Sequence, residues 1–219
     1  MNKREEEKLR KRQIKLKQEM ERIEAMSAYE KEYHRCQYIC GIDEVGRGPL
    51  AGPVVAGAVI LPKDNPILYL NDSKKLTEKK REVLFDEIME RAVATGIGIV
   101  SPARIDEMNI LQATYEAMRM AIARLKVRPD ILLNDAVTIP EIDIPQVPII
   151  KGDTKSISIA AASIIAKVTR DRLMIEYDKV IPGYGFASNK GYGTKAHIAG
   201  LRELGPSAIH RATFIRNFV

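Results

Sequence analysis

Four acidic residues could do chemistry in this sequence: the adjacent pair Asp43 and Glu44, and the distant Asp135 and Asp153. Each follows an apolar run that reads as a strand: Tyr38-Ile39-Cys40-Gly41-Ile42, Ile131-Leu132-Leu133, and residues 147–150. An unpaired carboxylate beside a core sheet is costly. Four of them brought together would repel strongly unless cations sat between them. An all-oxygen set suits Mg²⁺ or Mn²⁺. Two such ions, about 4 Å apart, would neutralise the cluster and clamp an in-line phosphoryl transfer. Each acid also has an ordinary use. Asp135 serves as a turn residue, Asp153 as the N-cap of the next helix, and Asp43-Glu44 as a solvated strand end. Three acidic strand ends in one chain favour the metal site.

Gly46-Arg47-Gly48 follows the pair after one residue, Val45. Consecutive residues of a regular strand point to opposite faces, so Asp43 and Glu44 share a site only if the strand ends or bends there. Gly46 and Gly48 supply that freedom. Glycines also let backbone approach a ligand, and an arginine forks onto phosphate or carboxylate. Backbone groups at contact distance can read a ribose 2′-hydroxyl. The ordinary alternative is a tight turn with an exposed arginine. There is no Walker A sequence, and no Gly-x-Gly-x-x-Gly opens a helix. Lys74, Lys75, Lys151, Lys155, Lys190 and Lys195 fall in loops or at helix starts, where they could hold phosphates. Tyr192, between two glycines, could stack on a sugar or base. No Ser/His/Asp arrangement is visible, neither cysteine has an activating context, and His210 receives no catalytic role.

The elements that must position these groups alternate along the chain. Strands are expected at residues 38–43, 54–61, 95–100, 130–135 and 147–150, the first two forming an antiparallel hairpin with a wide loop. Thr77 caps a helix over 78–92 with Val83, Leu84, Ile88 and Met89 on its apolar face. A short helix starts at Ser101-Pro102. A longer one spans 110–125 with Leu111, Tyr115, Met118 and Ile122 as its core stripe. The helix over 156–177 carries Ala160-Ala161-Ala162-Ser163, small enough for close approach to the sheet. A Gly-rich loop and a helix over 195–204 follow. Five strands interleaved with helices indicate an α/β fold with a mixed sheet. Carboxylates at its strand ends lie where open α/β sheets place their sites.

Length and composition bound the rest. At 219 residues the chain is one domain, or one domain with an appendage. No apolar run is long enough to span a membrane, the charged N-terminus lacks a secretory h-region, and two cysteines make no disulfide framework, so the cytoplasm is the expected compartment. The net charge of +6 permits a polyanionic partner, with +3 in residues 1–35 and +3 in the remainder. A basic body around an acidic cluster suits an enzyme that grips phosphates beside a metal site. Residues 3–33 read as a solvated helix with a weak stripe (Leu9, Leu16, Met20, Ile23, Met26). An accessory nucleic-acid contact or partial disorder are its alternatives.

From Tyr38 to Phe214 the chain resembles ribonuclease HII. The resemblance rests on the segment from Gly41 through Asp43-Glu44 and Gly46-Arg47-Gly48 to Pro53, on Asp72-Ser73-Lys74-Lys75-Leu76, and on Leu132-Leu133-Asn134-Asp135. Lys151-Gly152-Asp153, the stretch from Ala161 to Asp171, and Gly191-Tyr192-Gly193-Thr194-Lys195-Ala196-His197 complete it in order. The resemblance implies an RNase H-like fold with a five-stranded mixed sheet and a C-terminal helical part, residues 38–219, preceded by a helical extension, residues 1–37. It implies that Asp43, Glu44, Asp135 and Asp153 are catalytic and hold one or two Mg²⁺ or Mn²⁺ ions. It implies that Gly46, Arg47, Gly48 and Tyr192 bind substrate at the junction where a ribonucleotide meets DNA, and Lys75 is expected to bind substrate as a phosphate contact. The substrates implied are RNA–DNA hybrid and single ribonucleotides in duplex DNA, cut to leave 3′-hydroxyl and 5′-phosphate ends. The implied role is removal of misincorporated ribonucleotides, and a monomer is the simplest expectation. The type HIII enzymes lack the Gly-Arg-Gly triplet. Asp171 is read as a structural helix residue, the fourth acid being Asp153.

Overall fold

The computed structural model describes residues 2–219. Two helices come first, α1 (Lys3–Met26) and α2 (Ala28–Glu32), then strands β1 (Ile39–Val45) and β2 (Val54–Ile60). Helix α3 (Glu78–Arg91), β3 (Ala94–Val100), α4 (Pro102–Met108), α5 (Ile110–Ala123), β4 (Ile131–Asp135) and β5 (Gln146–Ile149) follow. The chain ends with α6 (Ile157–Val180), α7 (Phe186–Asn189), α8 (Lys195–Leu204) and α9 (Ala212–Ile215). The sheet order is β3-β2-β1-β4-β5. β1–β2 and β2–β3 are antiparallel, while β1–β4 and β4–β5 are parallel, so the expected hairpin and mixed sheet are both present.

Helices cover both faces. Cys40, Ile42, Ala56 and Ala58 pack with Ala117, Met118 and Ala121 of α5 on one face. Val59 packs with α6, α3 and the last turn of α1 on the other. Helix α6 crosses very close to the sheet. A Cβ on Gly41 would stand 2.0 Å from the carbonyl carbon of Ser158, so no side chain fits there. The small Ala160-Ala161-Ala162-Ser163 patch is fully enclosed, as its residue sizes indicated.

Two apolar stripes differ from expectation. In α5 the buried face is Ala113, Thr114, Ala117, Met118, Ala121 and Ile122, and Leu111 is exposed. The reason is a close approach: a Cβ on Gly98 would lie 1.8 Å from the Ala117 carbonyl oxygen, so this helix presents its small residues to the sheet. In α3 only Leu84 and Ile88 are buried, and Val83 and Met89 face solvent. A spacing of four keeps Leu84 and Ile88 on one face, and each outer neighbour falls about 100° away.

Helix α1 divides along its length. Leu9, Leu16 and Met20 are exposed, consistent with a solvated helix, whereas Ile23 and Met26 are buried against α3 and α6. Beyond it, Glu30 Oε1 accepts from Ser156 Oγ at 2.6 Å and from Ser158 N at 3.0 Å, capping the start of α6. The first 37 residues are therefore fastened to the body at their C-terminal end.

Candidate active site

The four acids are positioned by three adjacent strands and one turn. β1 outruns its parallel neighbour. Its last pair with β4 is Ile42↔Asn134, while pairing with β2 continues through Val45↔Val55. Residues 43–45 thus have a neighbour on one side only, and Asp135 ends β4 in the gap. The expected bend at Asp43-Glu44 is absent, because β1 stays regular to Val45. The turn begins at Gly46, with φ +90°. A Cβ there would also stand 2.2 Å from Arg170 Nε. Asp153 is not the N-cap of α6. Ser156 fills that position and accepts from Ile159 N at 3.2 Å. Asp153 lies one turn earlier, in a single 3₁₀ turn over Gly152–Thr154 that follows Lys151 in the left-handed region.

The carboxylates sense one another. Burial raises the Asp43 carboxyl well above its usual range, and the charges of Glu44 and Asp135 add to this against a hydrogen bond from Ser163. Burial also raises Glu44, with Asp135 adding to it and Arg47 opposing. Asp153 is raised by burial, then by Asp72 and Asp135. The acids are tied to protein donors: Glu44 N to Asp43 Oδ1 (2.8 Å), Gly152 N to Asp135 Oδ1 (2.7 Å), and Arg47 Nη1 to Glu44 Oε1 (3.4 Å). Among the described residues no three acidic, imidazole or thiol groups stand together in a metal-holding arrangement. The donor set nevertheless fits a hard divalent cation. It is all oxygen, and its buried mutual repulsion is the imbalance a cation would relieve.

Sequence reasoning missed two neighbours of the acids, Asp72 and Ser163, and left Lys74 and Lys75 on equal terms. The charge of Asp72 raises the Asp153 carboxyl, after burial. Lys74, exposed like Lys75, senses the charges of the cluster. The charges of Asp72, Asp153, Asp43 and Asp135 raise its ammonium pKa against the opposing effect of burial. Lys75 is exposed, and its amide closes the turn on the Asp72 carbonyl. Ser163, singled out only for its size, meets Ser73 Oγ at 2.9 Å and lowers the Asp43 carboxyl against the effect of burial. Asp171 is held by Lys167 (2.8 Å) and Arg81 (3.7 Å), a structural role as expected.

The loop from Gly46 to Pro53 is held by two buried guanidiniums. Arg211 donates to the carbonyls of Gly46 (2.5 Å), Arg47 (2.8 Å) and Gly52 (2.9 Å). Arg170 donates to those of Pro53 (2.9 Å), Lys190 (2.8 Å) and Ala51 (3.1 Å). Burial and the neighbouring Arg170 bring Arg211 down to about 9, still protonated at neutral pH. Gly191 O accepts from Leu50 N and Ala51 N, so the Tyr192 loop is sewn to the Gly-Arg-Gly loop. The Tyr192 ring is 45% exposed, and its edge lies 4.0 Å from where Gly48 would carry a Cβ. The Arg47 side chain is similarly half-exposed.

Behind Tyr192 lies a histidine chain. Ser207 N and Oγ approach His210 Nδ1 (2.9 and 2.7 Å), His210 Nε2 meets His197 Nε2 (3.0 Å), and His197 Nδ1 meets the Tyr192 carbonyl (2.9 Å). Only one neutral tautomer pattern satisfies every link: His210 protonated on Nε2 and His197 on Nδ1. Burial and His197 lower His210 to about 4, below its ordinary 6.5. A depressed folded-state histidine pKa means that the unfolded chain takes up the proton first, so stability falls as pH drops from about 6.5 towards 4. Melting curves at several pH values should show wild type losing on the order of 1–2 kcal/mol more than His210→Gln over that window. Parallel curves would refute the neutral pair.

Comparison with known proteins fits this geometry. The family model described as Ribonuclease HII matches residues 40–217. The chain belongs to the ribonuclease HII family. Ribonuclease HII of Lachnoclostridium phytofermentans is 71% identical over 203 residues, 93% of this chain and 80% of that one. Ribonuclease HII of Clostridioides difficile is 56% identical, covering 97% of this chain and 84% of that one. Among solved structures, the ribonuclease H2 of Pyrococcus horikoshii superposes with a TM-score of 0.68 at 27% identity, over 83% of this chain and 97% of that one. A Bst-RNase HIII solved with Mn²⁺ superposes at 0.60 with 18% identity, which shows the shared fold alone. This ribonuclease HII is thus a hydrolase, a divalent-metal-dependent endonuclease of RNA–DNA hybrids. No helix among the described residues is long and apolar enough to cross a membrane.

Proposed function

We propose that this ribonuclease HII cuts on the 5′ side of single ribonucleotides in duplex DNA as well as within hybrids, leaving 3′-hydroxyl and 5′-phosphate ends. Removal of misincorporated ribonucleotides is the role that follows. The observation that carries this reading is the placement of Gly46-Arg47-Gly48 immediately after Asp43, Glu44 and Val45, with Tyr192 alongside. A group that reads a ribose is then built into the same strand end as the chemistry.

Asp43, Glu44, Asp135 and Asp153 are the residues that would hold one or two Mg²⁺ or Mn²⁺ ions. Bound there, the metal supplies Lewis-acid polarisation of the phosphate and a more acidic water. The chain's own groups do the rest. Backbone at Gly46 and Gly48 contacts the ribose 2′-hydroxyl, the group that separates RNA from DNA. Arg47, free to swing from Glu44 once that carboxylate takes a cation, forks onto the scissile phosphate. Tyr192 stacks on the deoxyribose of the following nucleotide. Lys74 lends positive charge beside the reacting phosphate, and Lys75 contacts the backbone farther out. All of these groups come from one chain, so a single copy suffices.

A duplex with one embedded ribonucleotide tests this directly. Cleavage 5′ of the ribonucleotide in Mg²⁺ or Mn²⁺, none in EDTA, and none on all-DNA duplex is the expected pattern. Cutting of the all-DNA duplex would overturn the 2′-hydroxyl reading. Binding without cleavage in either metal would make the protein a hybrid-binding module. Arg47→Ala should lower kcat/KM on this substrate about 10–100-fold. Its metal affinity, followed by Mg²⁺-dependent melting, should stay within about twofold. Equal loss of both would mean that the loop is only structural.

A further inference from the structure

Helix α1 lies outside the segment matched by the family model, yet one of its turns grips the loop that leads into the active site. Glu19 and Arg22 form a bidentate pair, Nε to Oε2 at 2.9 Å and Nη2 to Oε1 at 2.6 Å. The pair presents one acceptor and one donor outward. Glu19 Oε1 accepts from Tyr69 N at 2.7 Å, and Arg22 Nη2 donates to the Leu70 carbonyl at 2.7 Å. The side chains thus pair with two consecutive residues of the loop as another strand would.

The gripped point is strained. Tyr69 has φ +66°, a left-handed conformation that an aromatic residue rarely adopts, and its ring is 55% exposed. Its own packing therefore does little to hold it there. The hydrogen bonds from α1 and the buried Leu70 beside it are what fix the backbone. Within five residues the loop delivers Ser73, whose Oγ meets Ser163 Oγ at 2.9 Å, Asp72, whose charge raises the Asp153 carboxyl, and Lys74, whose ammonium senses Asp72, Asp153, Asp43 and Asp135. Downstream, Arg81 holds the same turn by the carbonyls of Ser73 (3.1 Å) and Leu76 (2.6 Å).

We propose that Glu19 and Arg22 are positioning residues for the reaction, setting the approach of the 69–75 loop, and with it Lys74, to the metal-site carboxylates. The N-terminal extension is in this sense part of the active site. The inference rests on the functional reading above.

The experiment is a double-mutant cycle on the single-ribonucleotide duplex in Mg²⁺, using the full chain. Arg22→Ala should lower kcat/KM about 10-fold. Combined with Lys74→Ala it should cost no more than about twofold beyond Lys74→Ala alone, because the two act through one loop. Arg22→Lys, which keeps a donor for the Leu70 carbonyl, should recover most of the loss. Glu19→Gln, a gentler change that preserves packing, should show a smaller loss with the same non-additivity. It carries the test if Arg22→Ala does not fold. Amide hydrogen exchange in Arg22→Ala or Glu19→Gln should quicken at residues 69–75 and not in β1. Wild-type kinetics in Arg22→Ala, or losses that multiply with Lys74→Ala, would overturn the proposal while leaving the functional reading intact. A wild type that cleaves nothing would overturn both.

Discussion

Asp43→Asn is expected to abolish cleavage and, in the same protein, to raise the melting temperature of the metal-free form. The two effects share one cause. Asp43 is buried at the end of β1, and burial, Glu44 and Asp135 all push its carboxyl above its ordinary 3.8. A carboxyl raised in the folded state keeps its proton to a higher pH than in the unfolded chain. Its favourable contribution is therefore present at low pH and lost as pH rises through the folded-state value. At neutral pH the ionised group opposes folding until a cation arrives. Asparagine removes that charge. Its amide oxygen can still accept from Glu44 N, and its amide nitrogen can donate to Ser163 Oγ. The metal-free variant should gain about 1–3 kcal/mol, a rise of several degrees for a chain of this size. The Mg²⁺-dependent rise in melting temperature should shrink or vanish. Activity should fall by at least about 10³-fold. Thermal melts in EDTA and in Mg²⁺, with cleavage assays alongside, measure all three. A variant that cleaves normally would remove Asp43 from the metal site, and one less stable in EDTA would show that the cluster is not under repulsion.

Arg211→Ala should produce the opposite combination, a large loss of stability with the carboxylates untouched. The guanidinium is fully buried and donates only to backbone, to three carbonyls of the Gly46–Pro53 loop. Removing it leaves those acceptors unsatisfied and opens a cavity under the loop, about 3–5 kcal/mol in all. The melting temperature should fall by on the order of 10 °C. At a temperature where the variant is still folded, cleavage at a single ribonucleotide should suffer more than cleavage of a long hybrid, where register matters less. Arg211→Lys should repair little, since one ammonium cannot span carbonyls that a planar fork reaches. A variant that melts like wild type would show that the loop holds its own shape.

Some of this was legible in the residues. Short apolar runs marked the strands, and the acids at the ends of three of them marked the candidate site. The carboxylate set was readable because acids at buried strand ends have few uses besides holding a cation. The path of β1 was not. A bend at Asp43-Glu44 seemed necessary only because the length of β4 was unknown. β1 runs three residues past its last pair with β4, which leaves Asp43 and Glu44 with a strand neighbour on one side only. The facing stripes of α3 and α5 were misjudged for a similar reason. Leu111, Val83 and Met89 are apolar enough for a core, but the glycines of β3 draw the small face of α5 inward.

By itself, then, the sequence determined the alternation of strands and helices, the four acids, and the Gly-Arg-Gly turn, because these are written in residue type and local period. Only the tertiary structure decided that Lys74 senses the acids, that Asp72 and Ser163 join them, that Arg170 and Arg211 brace the loop, and that α1 grips Tyr69 and Leu70. Those contacts join residues from 20 to more than 160 positions apart. Nothing local in the chain encodes them. They exist only once the sheet has closed that distance.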